Sequence, residues 1–271
     1  MVRRRLDVEI VRRGLAPSRA QAAAAVAAGD VRVGGSVAAT AARQVAPDEP
    51  IAITGPGPRY VSRAGEKLAG ALERFDVVVA GRRVLDAGAA TGGFTQCLLE
   101  QGAERVYAVD VGRGQLAWTL RNDPRVELHE RTNLRDLEPE TLGGPVPLAV
   151  ADLSFISLLT VAPALVRCTT ADADLVLLVK PQFEAGRGRV GKGGIVRDPE
   201  VHVEVLTRVA AGLGDAGLFT ADAVASTLPG ADGNQEFLFH CRRSVATLRR
   251  SDQDLAALAR AGLEASPRAP S

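Results

Sequence analysis

The sequence predicts a small α+β domain followed by a larger α/β domain, in which helices cover both faces of a mainly parallel, seven-stranded sheet. Its length of 271 residues is enough for one large and one small domain. From about residue 62, helical segments alternate with short apolar strands, which is typical of a parallel sheet. A glycine-rich turn follows the first of these strands, and only a short turn separates the last two.

The first domain is assigned to residues 1–58. Helical periodicity occurs twice within residues 6–29, and Gly14 and Gly29 close the two segments. Valines then alternate with polar or small residues over 31–37, and a second apolar stretch at 51–53 also predicts a short strand. The Gly-Pro repeat that ends at residue 58 indicates a linker, placed at 59–62.

The second domain is assigned to residues 63–245. We predict its strands at 82–87, 105–110, 126–130, 147–152, 174–180, 219–226 and 236–242. The turn with Gly230 and Gly233 is too short for a helical crossover, so strand seven must run antiparallel to strand six. That final hairpin indicates a Rossmann-like fold in its class I methyltransferase form. Residues 246–271 are expected to be a partly disordered tail that contains one short amphipathic segment and has no assigned role.

Charge is unevenly distributed along the chain. Residues 1–66 contain ten arginines against six acidic residues, whereas the remainder sums to −3 within a net charge of +1. A basic first domain suggests nucleic acid as its partner. A solvated charged face explains the charge equally well.

Export and membrane insertion are not expected. The basic N-terminus lacks the apolar run of a secretory signal, and no apolar segment approaches the roughly 20 residues of a membrane span. Cys97, Cys168 and Cys241 match neither a disulfide framework nor a zinc site. We therefore expect a cytoplasmic monomer without a metal or a membrane partner.

The glycine-rich turn is the strongest local motif. Gly88, Gly92 and Gly93 follow a strand and open a helix, with a spacing that differs from that of nicotinamide-binding loops and matches the methionine-binding loop of S-adenosylmethionine enzymes. Asp110 ends the next strand, where it could bind the ribose hydroxyls, and Asn133 could read the adenine edge. An ordinary tight turn is the alternative. The predicted cofactor-binding residues are Asp86, Gly88, Ala89, Thr91, Gly92, Gly93, Phe94, Asp110, Val111, Asn133, Asp152 and Leu153.

Four charged residues are predicted to meet at the carboxyl edge of the sheet. Asp152 and Lys180 end strands four and five, and Glu236 opens the antiparallel strand seven beside strand five. Lys67 lies in the first turns of the helix that begins near Ser62 and precedes strand one. Only three of the 33 basic residues are lysines, which favours a specific need for the ammonium groups of Lys67 and Lys180.

Two lysines and two carboxylates in one pocket suit the methylation of a hydroxyl. A ribose 2′-hydroxyl is a poor nucleophile and needs a base that removes its proton during attack on a methyl donor. One crowded, partly buried lysine could be that base, while the other stabilises the developing alkoxide. The segment Asp-Leu-Ser-Phe at 152–155 also differs from the Asn/Asp-Pro-Pro-aromatic segment of enzymes that methylate base amines.

Each of the four residues also has an ordinary structural explanation. Asp152 could cap a helix, Lys180 could lie on the surface at a strand end, Glu236 could face solvent, and Lys67 could lie on a solvated helix face.

Segments in both domains resemble a known family. Residues 5–7, 14–19 and 29–33 resemble the S4 RNA-binding fold, and residues 62–68, 151–158, 180–184 and 233–236 resemble signatures of the hemolysin A (TlyA) family of ribosomal RNA cytidine-2′-O-methyltransferases. The resemblance covers residues 3 to about 243. It implies that Lys67, Asp152, Lys180 and Glu236 form the Lys-Asp-Lys-Glu tetrad of 2′-O-methyltransferases. It also implies S-adenosylmethionine as cofactor and ribosomal RNA, or ribosomal subunits, as partner.

The full first domain resembles the longer family members, which modify both small- and large-subunit RNA. Two positions depart from the family pattern, because Ala64 stands where Gly is frequent and Tyr60 where Trp is frequent. Neither belongs to the tetrad, but Tyr60 leaves any coupling of RNA binding to cofactor binding through the linker open.

RNA contacts are expected from arginines in the first domain and in loops near the pocket. Phe155 could stack on a base rotated out of its helix, or it could pack in the core. The predicted RNA-binding residues are Arg3, Arg5, Arg13, Arg19, Arg63, Arg131, Arg135, Phe155, Arg187 and Arg189.

Three other functions remain open from the sequence. The family name suggests a membrane-lytic protein, although no segment suited to lysis is present. A non-catalytic RNA-binding or assembly factor is a second possibility. A methyltransferase that acts on a base, a small molecule or a protein is the third.

Overall fold

The computed structural model describes residues 3–16, 19–55, 59–186, 188–230, 233–243 and 251–265. The chain divides into two compact units, Met1–Arg59 and Tyr60–Ser271.

The first unit packs two helices against short strands. Leu6, Ile10 and Val26 face a core that also contains Val31, Val33 and Val45. The strand pairs are β1 with β4, and β2 with both β3 and β5, all antiparallel. Its elements are β1 (Arg4–Arg5), α1 (Leu6–Arg12), α2 (Arg19–Ala27), β2 (Val31–Val33), β3 (Ser36–Val37), β4 (Gln44–Val45) and β5 (Ile51–Ile53).

The second unit contains a seven-stranded sheet with the order β11-β12-β10-β9-β6-β7-β8. Strand β12 runs antiparallel to both of its neighbours, and the other pairings are parallel. The strands are β6 (Arg83–Ala87), β7 (Arg105–Asp110), β8 (Val126–Glu130), β9 (Val146–Ala151), β10 (Thr169–Val179), β11 (Phe219–Ala225) and β12 (Phe237–Arg242). The helices are α3 (Ala64–Phe75), α4 (Gly93–Glu100), α5 (Trp118–Arg121), α6 (Leu158–Arg167), α7 (Pro181–Glu184), α8 (Pro199–Asp215) and α9 (Asp252–Ala265).

Both faces of this sheet are buried, as the apolar runs of its strands require. In β10, Leu175 and Leu177 pack on one face with the cluster that includes α6 and α8, whereas Val176 and Leu178 pack on the other face with α3 and α4. This alternation follows from the two-residue period of a strand. The predicted methyltransferase form of the Rossmann-like fold, with an antiparallel seventh strand, is confirmed.

The direction in which the sheet grows reverses between β6 and β9. From β6 the chain proceeds through β7 to β8 on one side of the sheet, and β9 then lies on the other side of β6. Ligands of open α/β sheets bind at such a reversal, outside the carboxyl ends of the strands. Gly88 and Asp152 follow these two strands directly.

Two parts of the fold differ from the expectation. Strand β10 begins at Thr169, five residues before the predicted start, and a register shift separates Thr169 from Asp174. The region expected to be a tail contains helix α9, whose Leu255 and Ala259 are buried in the core of the second unit. Within the described residues, no helix is long and apolar enough to cross a membrane.

Candidate active site

The four charged residues form two ion pairs. Lys67 Nζ lies 2.5 Å from Glu236 Oε2, and Lys180 Nζ lies 2.7 Å from Asp152 Oδ1. Lys67 and Glu236 are buried at 8% and 2% exposure. This burial excludes the two structural alternatives given above, in which Glu236 faces solvent and Lys67 lies on a solvated helix face.

Segment 180–184 connects the two pairs. Lys180 Nζ donates to Ser154 Oγ at 3.1 Å, and Gln182 Nε2 donates a long hydrogen bond of 3.4 Å to Glu236 Oε1. Because Lys180 and Gln182 are two residues apart, both ion pairs lie at the same edge of the sheet. Pro181 ends the strand at this edge, since it lacks the N–H group that the ladder would need.

Helix α3 reaches this edge by close backbone packing against α4. A Cβ on Gly65 would lie 2.8 Å from the carbonyl oxygen of Gly93, and a Cβ on Gly93 would lie 2.2 Å from Ser62 Oγ. Gly65 and Gly93 therefore allow the first turn of α3, which carries Lys67, to approach the glycine-rich turn. Arg63 fixes the same helix end to the hairpin before β12 by donating to the carbonyl of Pro229 at 2.9 Å.

The glycine-rich turn lies against the Asp152 segment. Gly88 has a φ of +87°, and a Cβ there would lie 2.5 Å from the carbonyl oxygen of Asp152. Gly92, with a φ of +98°, would place a Cβ 2.3 Å from Leu120 Cδ1. Packing thus requires these glycines, and Ala90 and Thr91 between them are exposed and accessible to a ligand.

Asp110 supports the turn. Its carboxylate accepts hydrogen bonds from the backbone N–H groups of Ala90 at 2.9 Å and Gly112 at 2.6 Å. A carboxylate has about four lone-pair sites, so capacity remains for the hydroxyl groups of a ribose. The adjacent Val111 is 71% exposed and offers an apolar surface to a ring.

Asp86 lies beneath the turn and is fully buried. Burial raises the pKa of its carboxyl to about 7, against the hydrogen bond that Thr95 Oγ1 donates to Oδ2 at 2.6 Å. Among the described residues, Asp86 Oδ1 has no hydrogen-bond partner. The glycine cradle, Asp110 and this unpaired oxygen fit a polar ligand such as S-adenosylmethionine.

Three predicted cofactor residues have structural roles in the fold. The Phe94 side chain is buried in the core between the sheet and α3, so only its backbone is available to a ligand. Leu153 packs against the opposite core. Asn133 Oδ1 accepts from Arg135 N at 3.1 Å and caps the turn over residues 134–136.

Phe155 does not pack in the core. Its side chain is 91% exposed, its φ of +63° is unusual for a bulky residue, and its ring lies 5.0 Å from that of Phe183. The Lys180 ammonium lies 5.7 Å from the Phe183 ring centroid. An aromatic pair, the exposed Phe155 and the half-buried Phe183, thus borders the site.

The predicted RNA-binding arginines differ in availability. Arg13 has an internal role, because its guanidinium binds Glu9 and the backbone carbonyls of Ala46, Pro47 and Glu49. Arg5 and Arg19 both pair with Asp7 but have side chains 46% and 61% exposed. Arg3, Arg131 and Arg135 are exposed, and Arg189 pairs with Glu204. Arg187 lies outside the described residues.

The sequence prediction omitted Glu184, as it did Ser154 and Gln182. Glu184 is buried at 7% exposure, and its carboxylate accepts from Ser157 Oγ at 2.7 Å and Leu158 N at 2.8 Å. Its position directly after Lys180-Pro-Gln-Phe was the one signal in the sequence that could have indicated a role at the site. Only the fold shows that the carboxylate faces the segment after β9.

The fold and the glycine cradle define the chain as a Rossmann-like methyltransferase with a small added domain. It belongs to the FtsJ-like methyltransferase family, which matches residues 60–243, and residues 4–51 match the S4 domain.

Similar proteins cover most of the chain. The 16S/23S rRNA (cytidine-2′-O)-methyltransferase TlyA of Mycobacterium tuberculosis is 54% identical over 89% of this chain and 90% of its own length. Hemolysin A of Brachyspira hyodysenteriae is 40% identical over 87% of this chain and 98% of its own. The solved structure of a hemolysin-named protein from Streptococcus thermophilus has a TM-score of 0.78 and 37% identity, covering 98% of this chain and 97% of that one.

Proposed function

We propose that this protein transfers a methyl group from S-adenosylmethionine to the ribose 2′-hydroxyl of cytidines in ribosomal RNA of the small subunit, and also of the large subunit. The observation that carries the proposal is the pair of lysine–carboxylate contacts beside the glycine cradle. The name of the Mycobacterium tuberculosis relative supports the substrate, and the S4 domain supports RNA binding.

The cradle at Gly88, the exposed residues Ala90 and Thr91, and Asp110 would hold the cofactor. When bound there, S-adenosylmethionine supplies an electrophilic methyl group on its sulfonium. The chain has to hold the ribose oxygen in place and remove its proton.

Lys180 is the proposed base, because its partner Asp152 borders Gly88 directly. As a neutral amine it accepts the 2′-hydroxyl proton while the ribose oxygen gains the methyl group, and it later releases the proton to water. Asp152 stabilises the ammonium that forms. Lys67, fixed by Glu236, stabilises the negative charge that develops on the ribose oxygen.

RNA binding is assigned to exposed groups in each unit. Arg3, Arg5 and Arg19 would contact phosphates from the first unit, and Arg131 and Arg135 from the second. Phe155 would stack on the base next to the reacting ribose, as its exposure allows.

The test is methyl transfer to purified small and large ribosomal subunits, with the modified nucleotide mapped by mass spectrometry. Wild type should methylate a cytidine ribose. Lys180→Ala should abolish transfer, and Lys180→Arg should also be inactive, because arginine keeps the charge beside Asp152 but cannot give up its proton. Methylation of a base, or an active Lys180→Arg variant, would contradict the proposal.

Cofactor binding by the variants can be followed separately. Trp118 is the only tryptophan of the chain, is 76% exposed, and follows Ala117, whose N–H donates to the carbonyl of Thr91 at 3.2 Å. We expect its fluorescence to report on occupancy of the cradle. The cofactor affinity of both Lys180 variants should be close to that of wild type.

A further inference from the structure

We infer that Glu184 is a positioning residue that holds the segment between β9 and α6, residues 152–157, in its catalytic conformation. The inference rests on the proposed function, since it concerns the geometry of Asp152 and Lys180. Glu184 has no place in the expected tetrad. Its side chain nevertheless connects the two chain segments that carry this ion pair.

The carboxylate of Glu184 fixes the far end of the segment. Oε2 accepts from the hydroxyl of Ser157 at 2.7 Å, and Oε1 accepts from the backbone N–H of Leu158 at 2.8 Å. Ser157 Oγ also accepts from Leu159 N at 3.1 Å, so the start of α6 and the Glu184 carboxylate form one hydrogen-bonded unit. Because the carboxylate is buried, water competes poorly with these bonds.

The near end of the segment is fixed by Lys180. Its ammonium contacts Asp152 at 2.7 Å and donates to Ser154 Oγ at 3.1 Å. Residues 180 and 184 therefore bind opposite ends of the same short segment, with Phe155 between them. Arg208 of α8 binds the backbone carbonyl of Glu184 and anchors the other side of this connection.

The conformation between the two fixed ends is strained. Phe155 adopts a left-handed φ of +63°, which a bulky side chain rarely occupies without support. The same conformation exposes the phenylalanine ring. With its far end released, the segment could relax to an ordinary backbone conformation, which would move Phe155 and the Asp152–Lys180 contact together.

Glu184→Ala should lower kcat by about tenfold to 100-fold, since small displacements of reacting groups have effects of that order. The KM for S-adenosylmethionine should change less than kcat, because Glu184 does not contact the glycine turn and the backbone of Asp152, which does, stays bonded to the carbonyl of Ala87 at 3.0 Å. Glu184→Gln should retain most of the activity, since its amide can accept from Leu158 N and donate to Ser157 Oγ. Ser157→Ala, which removes one of the two bonds, should give an intermediate kcat.

A residue that only caps a helix provides the control. Asp198 caps α8 by accepting from Glu200 N at 2.9 Å, and in the part of the chain that the structure describes it makes no hydrogen bond to residues 152–157. Asp198→Ala should lose stability through its cap but keep wild-type kcat.

The measurements are kcat and KM for methyl transfer to ribosomal subunits, together with the unfolding transition of each variant. An unchanged kcat in Glu184→Ala or in Ser157→Ala would overturn the inference, as would a folded Glu184→Gln that is as inactive as Glu184→Ala. Absence of methyl transfer by wild type would instead contradict the proposed function.

Discussion

The ammonium of Lys67 lies 2.5 Å from a carboxylate oxygen of Glu236, although 169 positions separate the two residues in the chain. The pair joins the first turn of α3 to the start of β12, and both side chains are almost fully buried. A buried ion pair contributes little net stability, but the loss of one partner leaves an isolated buried charge.

Lys67→Met should therefore destabilise the second unit by about 3–5 kcal/mol, because the buried carboxyl group of Glu236 would lose its partner. The double variant Lys67→Met/Glu236→Gln should recover part of that loss, since no unpaired charge remains. Urea unfolding of the two variants and wild type measures both effects. Equal losses in the single and double variants would contradict this account of the pair.

Charge reversal at Arg5 and Arg19 should weaken RNA binding. Both guanidinium groups are held by Asp7 yet largely exposed, so they can reach phosphates. We expect Arg19→Glu to reduce affinity for ribosomal RNA and to lower the slope of log affinity against log salt by about one per lost contact. Filter binding at several salt concentrations measures this slope.

Arg105 is a matched control for this experiment, because it is 45% exposed and paired with Glu127 but begins β7 at the edge of the sheet away from the site. Arg105→Glu should leave both affinity and slope unchanged. An Arg19→Glu variant with wild-type affinity would show that the first unit does not anchor the RNA through this residue.

Helix α9 should be necessary for the stability of the second unit. Leu255 is 1% exposed and packs in the core, whereas Gln253 on the same helix is exposed. Leu255→Ala should lower the free energy of unfolding by about 2–5 kcal/mol, and Gln253→Ala should have little effect. Denaturant unfolding that gave the same midpoint for both variants would contradict the packing of α9.

The sequence was sufficient for the strand pattern because both faces of the sheet are buried, so that β10 contains a continuous apolar run at residues 175–179. It was not sufficient for the start of β10, because residues 169–174 are mostly polar. It was also sufficient to suggest that Lys67 and Glu236 lie at one edge, since strand direction determines where each strand ends. The sequence did not predict that α9 packs into the core, because the apolar stripe of a short terminal helix does not indicate the surface against which it packs.

Side-chain direction accounts for the other differences. Arg13 is one of many arginines in a basic domain, and only the fold shows its guanidinium bound to Glu9 and to backbone carbonyls. Phe94 adjoins the glycines of the turn, yet helix geometry directs its ring into the core. Glu184 stands directly after Lys180-Pro-Gln-Phe in the sequence, but its hydrogen bond joins residues 26 positions apart, so only the fold shows its partner.

Asp86 should make stability depend on pH. Burial raises its pKa to about 7, above the ordinary value of 3.8, and the nearby carboxylates of Asp152 and Asp110 raise it further against the hydrogen bond from Thr95. Between pH 4 and 7 the folded state therefore binds a proton that the unfolded state has released. This contribution to stability is complete below about pH 4 and is lost as pH rises through 7, with a slope of at most about 1.4 kcal/mol per pH unit.

Asp86→Asn removes the titrating group, so the stability of the variant relative to wild type should increase as pH rises from 5 to 8. The comparison isolates Asp86 because other groups, such as His202 with its lowered pKa, titrate in both proteins. Thr95→Val should act in the opposite way, since loss of the hydrogen bond to Asp86 Oδ2 raises the pKa further and extends the slope to higher pH. Unfolding free energies at pH 5, 6, 7 and 8 test both variants, and a difference between Asp86→Asn and wild type that stays constant with pH would show that Asp86 is ionised throughout this range.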